Sequence, residues 1–395
     1  MINRHISNYI EREMNSFPSV TLFGPRQCGK TTIARSMYPD FSYANLEDMN
    51  TRRLAIEDPD EFFVRFPEPV IIDEIQRVPD LLSTVQVRID KSHKTAQYLI
   101  TGSQQIPLKS AVAQSLAGRT AVVNMLPLSI SELKDSGIIL DRDVQILTGG
   151  MPYLFVEKGR IPSDYYRSYI STYLERDVAG QNQVHDLTRF MRFMTLLAGR
   201  VGNLVNDSAL ASEVGVSSTT IGSWLSILEA SHLVFMLKPW YNSRTSQVVK
   251  TPKIYFCDTG IAANLLGLET PAQVLRDPLL GNLFENLVVV EALKATLSSG
   301  SMNNLFFFRN SNGVEVDLVQ KKENKLELYE IKSGKALDND YLRNMRSFCN
   351  KYGECKSSVI YSGDGYPSFN GVSFYNFHDV YSLFEKKDEV FHLNF

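Results

Sequence analysis

A glycine-rich loop near the amino terminus constrains the fold of this chain more than any other feature of its sequence. The loop follows a short, mainly apolar run at 19–23 and precedes a helical pattern at 33–37. It reads Gly24-Pro25-Arg26-Gln27-Cys28-Gly29-Lys30-Thr31-Thr32. Glycines let the backbone curl so that successive N–H groups and the amino end of the helix face an anion. The order of strand, loop and helix therefore predicts an α/β domain that binds phosphate.

The residue types in this loop predict ATP and Mg²⁺ as its ligands. We expect all nine residues to contact the nucleotide. Lys30 would reach the outer phosphates and stabilise charge during catalysis, and the Thr31 hydroxyl would ligate magnesium. A glycine turn with a solvated lysine is the alternative, but the flanking strand and helix argue against it.

A second run supplies two acids that suit the same site. Val70-Ile71-Ile72-Asp73-Glu74 is β-branched and apolar until its last two residues, and Pro69 precedes it. This pattern predicts a buried parallel strand, whose carboxyl end lines the crevice where ligands bind. Asp73 would hold magnesium through water, and Glu74 would polarise the attacking water. The alternative is a pair of exposed acids at the end of a strand.

Three further short strands are predicted at 41–46, 97–101 and 120–125, which makes five. A strand between the phosphate loop and the acid-tipped strand is typical of AAA-type ATPases, and the segment resembles the AAA-family ATPase domain. Thr101-Gly102-Ser103-Gln104 stands where that family has its first sensor. The resemblance implies that Ser103 or Gln104 contacts the γ-phosphate or its water; an ordinary polar turn is the alternative.

Two arginines are candidates for an arginine finger, which stabilises transition-state charge when it reaches the γ-phosphate. Arg119 follows Leu116-Ala117-Gly118, and Arg176 lies in Tyr173-Leu174-Glu175-Arg176-Asp177. Such a residue often comes from a neighbouring subunit, so this role would require a homo-oligomer. A salt bridge within the fold is the alternative for each.

The middle of the chain predicts a helical joint and then a winged helix. Two helical patterns at 208–214 and 218–228 flank the turn Gly215-Val216-Ser217, which indicates a helix-turn-helix. The second helix exposes serine and threonine but no Lys or Arg, so a protein partner and a DNA or RNA partner both stay open. The basic residues lie in and after the wing, at Arg244, Lys250 and Lys253.

The last part of the chain contains two carboxylates and a lysine on neighbouring predicted strands. Asp317 lies in the strand 313–319, and alternation places Glu330 and Lys332 on one face of the strand 326–332. Asp317 and Glu330 would bind magnesium for phosphodiester hydrolysis, and Lys332 would orient the water. Glu285, from a helix, would complete the metal shell. A solvated charged face is the alternative.

The order of helix Glu, hairpin Asp and Glu-x-Lys resembles the PD-(D/E)xK nuclease superfamily. Taken whole, the chain resembles a prokaryotic family of AAA-type ATP-binding proteins whose carboxyl-terminal portion is a nuclease-like domain of unknown function. The expected fold class is α/β. We expect a P-loop AAA-type parallel-sheet domain at 1–135, a helical joint at 136–202, a winged helix at 203–268 and an α/β nuclease-like domain at 269–395.

Composition adds limits on class and partners. The chain of 395 residues is 44% hydrophobic and 22% charged, which is typical of globular proteins. The four cysteines form no CxxC pair, so free thiols are expected. Residues 1–17 lack the apolar core of a signal peptide and no later segment runs 18 apolar residues without charge, so a cytoplasmic location is expected, without a membrane segment. Two hypotheses follow. The protein is either an ATPase that controls a metal-dependent nuclease acting on nucleic acid, or an ATP-dependent switch whose carboxyl-terminal half is a silent protein-docking module.

Overall fold

The structure is a computed structural model, and it describes residues 2–103, 111–112, 114–156, 159–173, 184, 186–241, 249–301, 304–323 and 325–386. These residues form two compact units. Unit 1 comprises 1–128, 150–196 and 207–235, and unit 2 comprises 129–149, 197–206 and 236–395. Both the predicted helical joint and the predicted winged helix are thus divided between the units, and the four-part division of the chain stays a prediction.

Unit 1 is built on a five-stranded parallel sheet in the order β2-β3-β4-β1-β5. The five predicted strands are confirmed, and a strand lies between β1 and β3 as expected; the structure shows that it is β4. The strands are β1 (Ser19–Phe23), β2 (Ser42–Asn45), β3 (Val70–Asp73), β4 (Tyr98–Gly102) and β5 (Thr120–Asn124). Because all five strands are parallel, the loops after β1 and β3 leave the same edge of the sheet.

Helices cover both faces of this sheet. Successive residues of β3 enter different cores, since Val70 and Ile72 pack on one side and Ile71 packs on the other. This two-sided burial explains why β1 and β3 read as continuous apolar runs. The helices are α1 (Ser7–Ser16), α2 (Lys30–Met37), α3 (Met49–Glu57), α4 (Pro59–Arg65) and α5 (Leu81–Ser92).

The remaining helices of unit 1 come from the middle of the chain. The predicted helix-turn-helix is present, with Gly215 in the turn at φ 82° and a Ser217 cap on the second helix. The helices are α8 (Tyr153–Val156), α9 (Pro162–Tyr173), α11 (Asp207–Val214) and α12 (Ser218–Ala230), and α10 (Leu187–Ala198) begins here. Strand β6 (Val234–Leu237) lies where the chain passes from unit 1 to unit 2, and strand β7 (Lys253–Phe256) belongs to unit 2. Most of the predicted wing loop, 241–246, lies outside the described residues.

Unit 2 contains a mixed six-stranded sheet in the order β12-β13-β11-β10-β9-β8. An apolar core on one face of the sheet includes Val316, Leu328 and Phe348. The strands are β8 (Leu305–Arg309), β9 (Glu315–Lys322), β10 (Lys325–Lys332), β11 (Lys356–Tyr361), β12 (Tyr366–Phe369) and β13 (Val372–Asn376). Strands β9 and β10 are antiparallel, with Leu318 opposite Tyr329, which brings Asp317 beside Glu330.

The longest helix of unit 2 is α15 (Leu280–Ser298), which carries Glu285. The other helices are α6 (Ile130–Asp135), α7 (Arg142–Thr148), α13 (Thr259–Leu265), α14 (Pro271–Arg276), α16 (Arg343–Tyr352) and α17 (Val380–Phe384). Among the described residues, none of the helices combines the length and apolar character needed to cross a membrane.

Candidate functional site

The glycine-rich loop connects β1 to α2, and its backbone explains two of its glycines. Gly29 has φ 100°, a left-handed value that favours glycine. A Cβ atom on Gly24 would lie 2.1 Å from the Met125 carbonyl oxygen, so no larger residue fits there without a shift. The loop can therefore curl tightly over the carboxyl end of β1, with the amino end of α2 directed at its centre.

Lys30 is folded back onto the loop. Its Nζ donates to the carbonyl oxygens of Gly24 at 2.9 Å and Pro25 at 2.8 Å, and the residue is only 5% exposed. A buried ammonium needs such acceptors. To reach a phosphate, Lys30 would exchange these carbonyls for phosphate oxygens, which are stronger acceptors.

Arg4 holds the outer side of the same loop. Its guanidinium donates to the Cys28 carbonyl at 2.8 Å and to the Leu126 carbonyl at 2.7 Å. Cys28 is fully buried, with its Sγ 3.7 Å from the Met125 carbonyl oxygen. Sequence reasoning missed Arg4, because a single arginine far from the loop in sequence carries no local signal.

Asp73 ends β3 beside Thr31, as the sequence predicts. The Thr31 hydroxyl donates to the Asp73 carboxylate, with its Oγ1 3.0 Å from both oxygens. The hydroxyls of Tyr43, at 2.8 Å, and Thr101 also donate to it. Burial, and after it the negative charge of Asp73, raises the pKa of the Tyr43 hydroxyl, so this phenol stays protonated and acts as a donor. Tyr43 and Thr101 were not predicted as contacts of Asp73.

Glu74 turns away from the strand in a left-handed conformation, with φ 61°. Its backbone N–H donates to the Thr101 hydroxyl at 3.3 Å, and the Gln76 amide donates to its carboxylate. Ser103 follows β4 at the same edge of the sheet. It is buried, and its hydroxyl has no hydrogen-bond partner among the described residues. Gln104 lies outside the described residues.

Arg119, one of the two arginine-finger candidates, lies at the opposite edge of the sheet from this site. Arg119 forms a two-bond salt bridge with Asp90, at 2.6 and 2.9 Å. Its carbonyl oxygen accepts from the Ser19 N–H at the start of β1, whereas the phosphate loop follows the end of that strand. The alternative predicted for Arg119, a salt bridge within the fold, is therefore present. Arg176 lies outside the described residues.

The residues around the loop fit a nucleotide and its magnesium ion. Mg²⁺ in such sites takes few protein ligands and shares phosphate oxygens and waters with them. One hydroxyl, from Thr31, and one carboxylate, from Asp73, are in mutual contact at this edge. The buried hydroxyl of Ser103, which has no partner in the described part of the chain, is one further polar group that a ligand could satisfy.

The predicted acids of unit 2 also lie close together, but lysines separate them. Lys332 Nζ lies 2.7 Å from a Glu330 oxygen and 3.7 Å from an Asp317 oxygen. Lys253 Nζ lies 2.8 Å from Glu285 Oε1. Lys253, one of the basic residues predicted in and after the wing, begins β7 and is only 2% exposed.

Glu315, Tyr255 and Arg309 complete this group, and sequence reasoning assigned no role to any of them. An Arg309 nitrogen lies 3.5 Å from Glu315 Oε2. Glu315 Oε1 lies 2.6 Å from Lys253 Nζ, and the Tyr255 hydroxyl donates to Glu285 Oε1 at 2.6 Å. We call the whole set the acid–lysine cluster. It comprises Lys253, Tyr255, Glu285, Arg309, Glu315, Asp317, Glu330 and Lys332.

The cluster shifts the titration of its members. Burial, followed by the charge of Asp317, raises the pKa of Glu330 to about 8. Burial also raises the pKa of Glu285, although Lys253 opposes the shift. Burial opposes the charge of Lys253, but Glu285, Asp317 and Glu315 raise its pKa above the usual range. In the part of the chain that the structure describes, no group of three or more His, Cys, Asp or Glu residues is arranged to hold a metal ion. The metal shell of Glu285, Asp317 and Glu330 stays a prediction.

Glu330→Gln is expected to flatten the pH dependence of stability. Because the native state binds this proton more tightly than the unfolded chain, the wild-type stability falls as pH rises from about 4.5 to about 8. The fall would be on the order of a few kcal/mol, and glutamine, which cannot ionise, removes that contribution. Urea unfolding at about pH 5.5 and about pH 8.5 measures it. The exposed Glu354→Gln serves as the control; equal slopes in Glu330→Gln and wild type would contradict the expectation.

The fold and the loop geometry define the class of the amino-terminal part: it is an AAA domain. The family model of the AAA domain matches residues 16–134. Two further models, each described as a domain of unknown function, match residues 141–272 (DUF8612) and 280–379 (DUF4143). The last match leaves the nuclease-like fold as a prediction.

The chain is similar to an uncharacterized protein of Mycobacterium tuberculosis, Rv2008c, with 31% identity over 359 residues, 90% of this chain and 79% of the relative. It therefore belongs to the family of this mycobacterial protein. An uncharacterized protein of Methanocaldococcus jannaschii is 22% identical over 341 residues, 78% of this chain and 73% of the relative. Among solved structures, the Walker-type ATPase of Pyrococcus abyssi covers 67% of this chain and 96% of its own, with 15% identity and a TM-score of 0.45.

Proposed function

We propose that this protein is an ATP-dependent regulatory switch that binds and hydrolyses ATP in its AAA domain. One observation carries the proposal: Thr31 in the phosphate loop contacts Asp73 at the end of β3. The Thr31 Oγ1 atom lies 3.0 Å from each oxygen of the Asp73 carboxylate. The first residue type ligates magnesium in phosphate loops, and the second is the acid that such sites use beside it. Their contact is therefore what an ATP site of this class requires.

Each residue of the site has a role in the proposed reaction. The loop N–H groups and Lys30 would bind the phosphates of ATP, and Glu74 would accept a proton from the attacking water. Thr31 and Asp73 would hold Mg²⁺, which when bound supplies charge neutralisation at the phosphates. The Ser103 hydroxyl, buried and without a partner among the described residues, would donate to the γ-phosphate or its water. Tyr43 and Thr101 would orient the Asp73 carboxylate.

For unit 2 we propose a module that does not cleave nucleic acid. The observation that favours this hypothesis is the position of Lys253, whose ammonium group lies 2.8 Å from Glu285, one of the carboxylates that would have to ligate a metal. The metal-dependent nuclease is the competing hypothesis. A DNA-binding surface receives no support from Lys253, because that side chain is buried.

The test uses the full chain with linear duplex, single-stranded and branched DNA and with RNA, in Mg²⁺ or Mn²⁺, with and without ATP. We expect magnesium-dependent release of phosphate from ATP and no cleavage of any nucleic acid. Cleavage that disappears in Asp317→Asn while ATP hydrolysis persists would establish the nuclease hypothesis instead. The absence of ATP hydrolysis in all conditions would refute the proposed ATPase.

A further inference from the structure

Lys253 occupies an unusual place for a lysine. It lies on β7, outside the six-stranded sheet that carries most of the acid–lysine cluster, and its side chain is 3% exposed. Its Nζ lies 2.8 Å from Glu285 Oε1, 2.6 Å from Glu315 Oε1 and 5.5 Å from the centre of the Phe307 ring. A lysine is rarely buried this deeply unless paired charges hold it. Lys253 thus bridges a helix acid and a strand acid as an internal cation.

This arrangement does not fit the metal ion that a nuclease site would need. Magnesium requires oxygen ligands at about 2.0–2.1 Å in a near-octahedral arrangement. Glu285 Oε1 already accepts from both Lys253 and Tyr255. An ammonium in contact with two of the carboxylates also repels a second cation in a low-dielectric interior. The residues of unit 2 therefore already supply a cation at the place where the resemblance to nucleases implies a metal.

The carboxylates of the cluster are paired with cations of the chain itself. Asp317 is held by the Ile331 N–H at 2.8 Å and by Lys332 at 3.7 Å, and Glu315 is also 3.5 Å from an Arg309 nitrogen. Each of the four carboxylates thus lies within 4 Å of at least one cation of the chain. The carboxylates are those of Glu285, Glu315, Asp317 and Glu330, and the cations are Lys253, Arg309 and Lys332.

We propose that Lys253 is a built-in cation that holds the position of a divalent metal, so that the cluster takes up metal only when the charge of Lys253 is removed. The same cluster appears in the proposed function, but this inference is tested by metal uptake and not by cleavage. If the protein cleaves nucleic acid but binds Mn²⁺ as described in the next paragraph, only the proposal that unit 2 does not cleave nucleic acid is refuted.

The experiment titrates nucleotide-free full-length protein with Mn²⁺ in a calorimeter. We expect no Mn²⁺ uptake that depends on Asp317 in the wild-type protein. Lys253→Met leaves the carboxylates without their central cation and should bind one Mn²⁺ at least about tenfold more tightly than the wild type. Lys253→Met/Asp317→Asn should lose this site. Lys253→Arg, which keeps the charge, and the exposed Lys250→Met should both behave as the wild type.

Three results would overturn the proposal. The first is Mn²⁺ binding by the wild-type protein at a site that is lost in Asp317→Asn. This result can be observed without any lysine variant. The second is a folded Lys253→Met that gains no Mn²⁺ binding. Removing one partner of a buried ion pair is destabilising, so thermal unfolding is measured with and without Mn²⁺. Restored folding with Mn²⁺ supports the proposal, and a variant that stays unfolded in Mn²⁺ is the third contrary result.

Discussion

Glu74→Gln is expected to bind ATP as tightly as the wild-type protein and to hydrolyse it about 100- to 10,000-fold more slowly. Glutamine has the shape of glutamate but cannot accept a proton from water. The backbone of residue 74 is set by its left-handed conformation and by the bond of its N–H to Thr101, neither of which depends on the carboxylate. Binding and turnover should therefore separate.

Phosphate release and the binding of a fluorescent ATP analogue measure the two quantities. The matched control is Glu61→Gln, which changes an exposed glutamate on α4 of the same unit. It should leave both quantities unchanged. A Glu74→Gln protein that hydrolyses ATP at the wild-type rate would show that another group activates the water.

Lys30→Ala is expected to weaken ATP binding by about 100-fold or more, since the variant loses charge-assisted hydrogen bonds to the outer phosphates. In the absence of nucleotide the lysine satisfies the carbonyls of Gly24 and Pro25, so the substitution also leaves two loop acceptors without their donor. The loss should appear in the affinity for ATP and ADP, with any residual turnover limited by binding.

Equilibrium titration with both nucleotides checks this expectation. Lys94→Ala, an exposed lysine in the loop before β4, is the control for removing a positive charge from unit 1. Unchanged affinity in Lys30→Ala would contradict the assignment of the loop as the phosphate site. A thermal unfolding midpoint close to that of the wild type would show that the loss is local to the loop.

The sheet of unit 1 could be predicted from the sequence because its strands are short and its three central strands, β3, β4 and β1, are buried on both faces. The observed bounds of β1 coincide with the predicted run Ser19–Phe23, and β3 ends on Asp73, one residue before the end of the predicted run. That a strand lies between them followed from the resemblance to AAA domains, whereas the identity of that strand comes from the structure. The contact of Thr31 with Asp73 then follows from geometry, since parallel strands place their carboxyl ends at one edge.

The residues that support these groups could not be predicted in the same way. Arg4 contacts Leu126, which lies 122 positions away, and Lys253 contacts Glu285 from 32 positions away. No periodic pattern links such pairs. The sequence placed Lys253 among the basic residues in and after the predicted wing, and it carries no local signal of burial. Only the fold shows that the start of β7 faces the acids of its neighbours.

Burial of Cys28 makes opening of the phosphate loop chemically measurable. The thiol is inaccessible while Arg4 holds the Cys28 carbonyl and the side chain packs against the Met125 carbonyl. An alkylating reagent can reach it only through transient opening, so its modification rate reports how often the loop opens. The rate of Cys28 modification thereby measures a loop motion that equilibrium binding curves do not resolve.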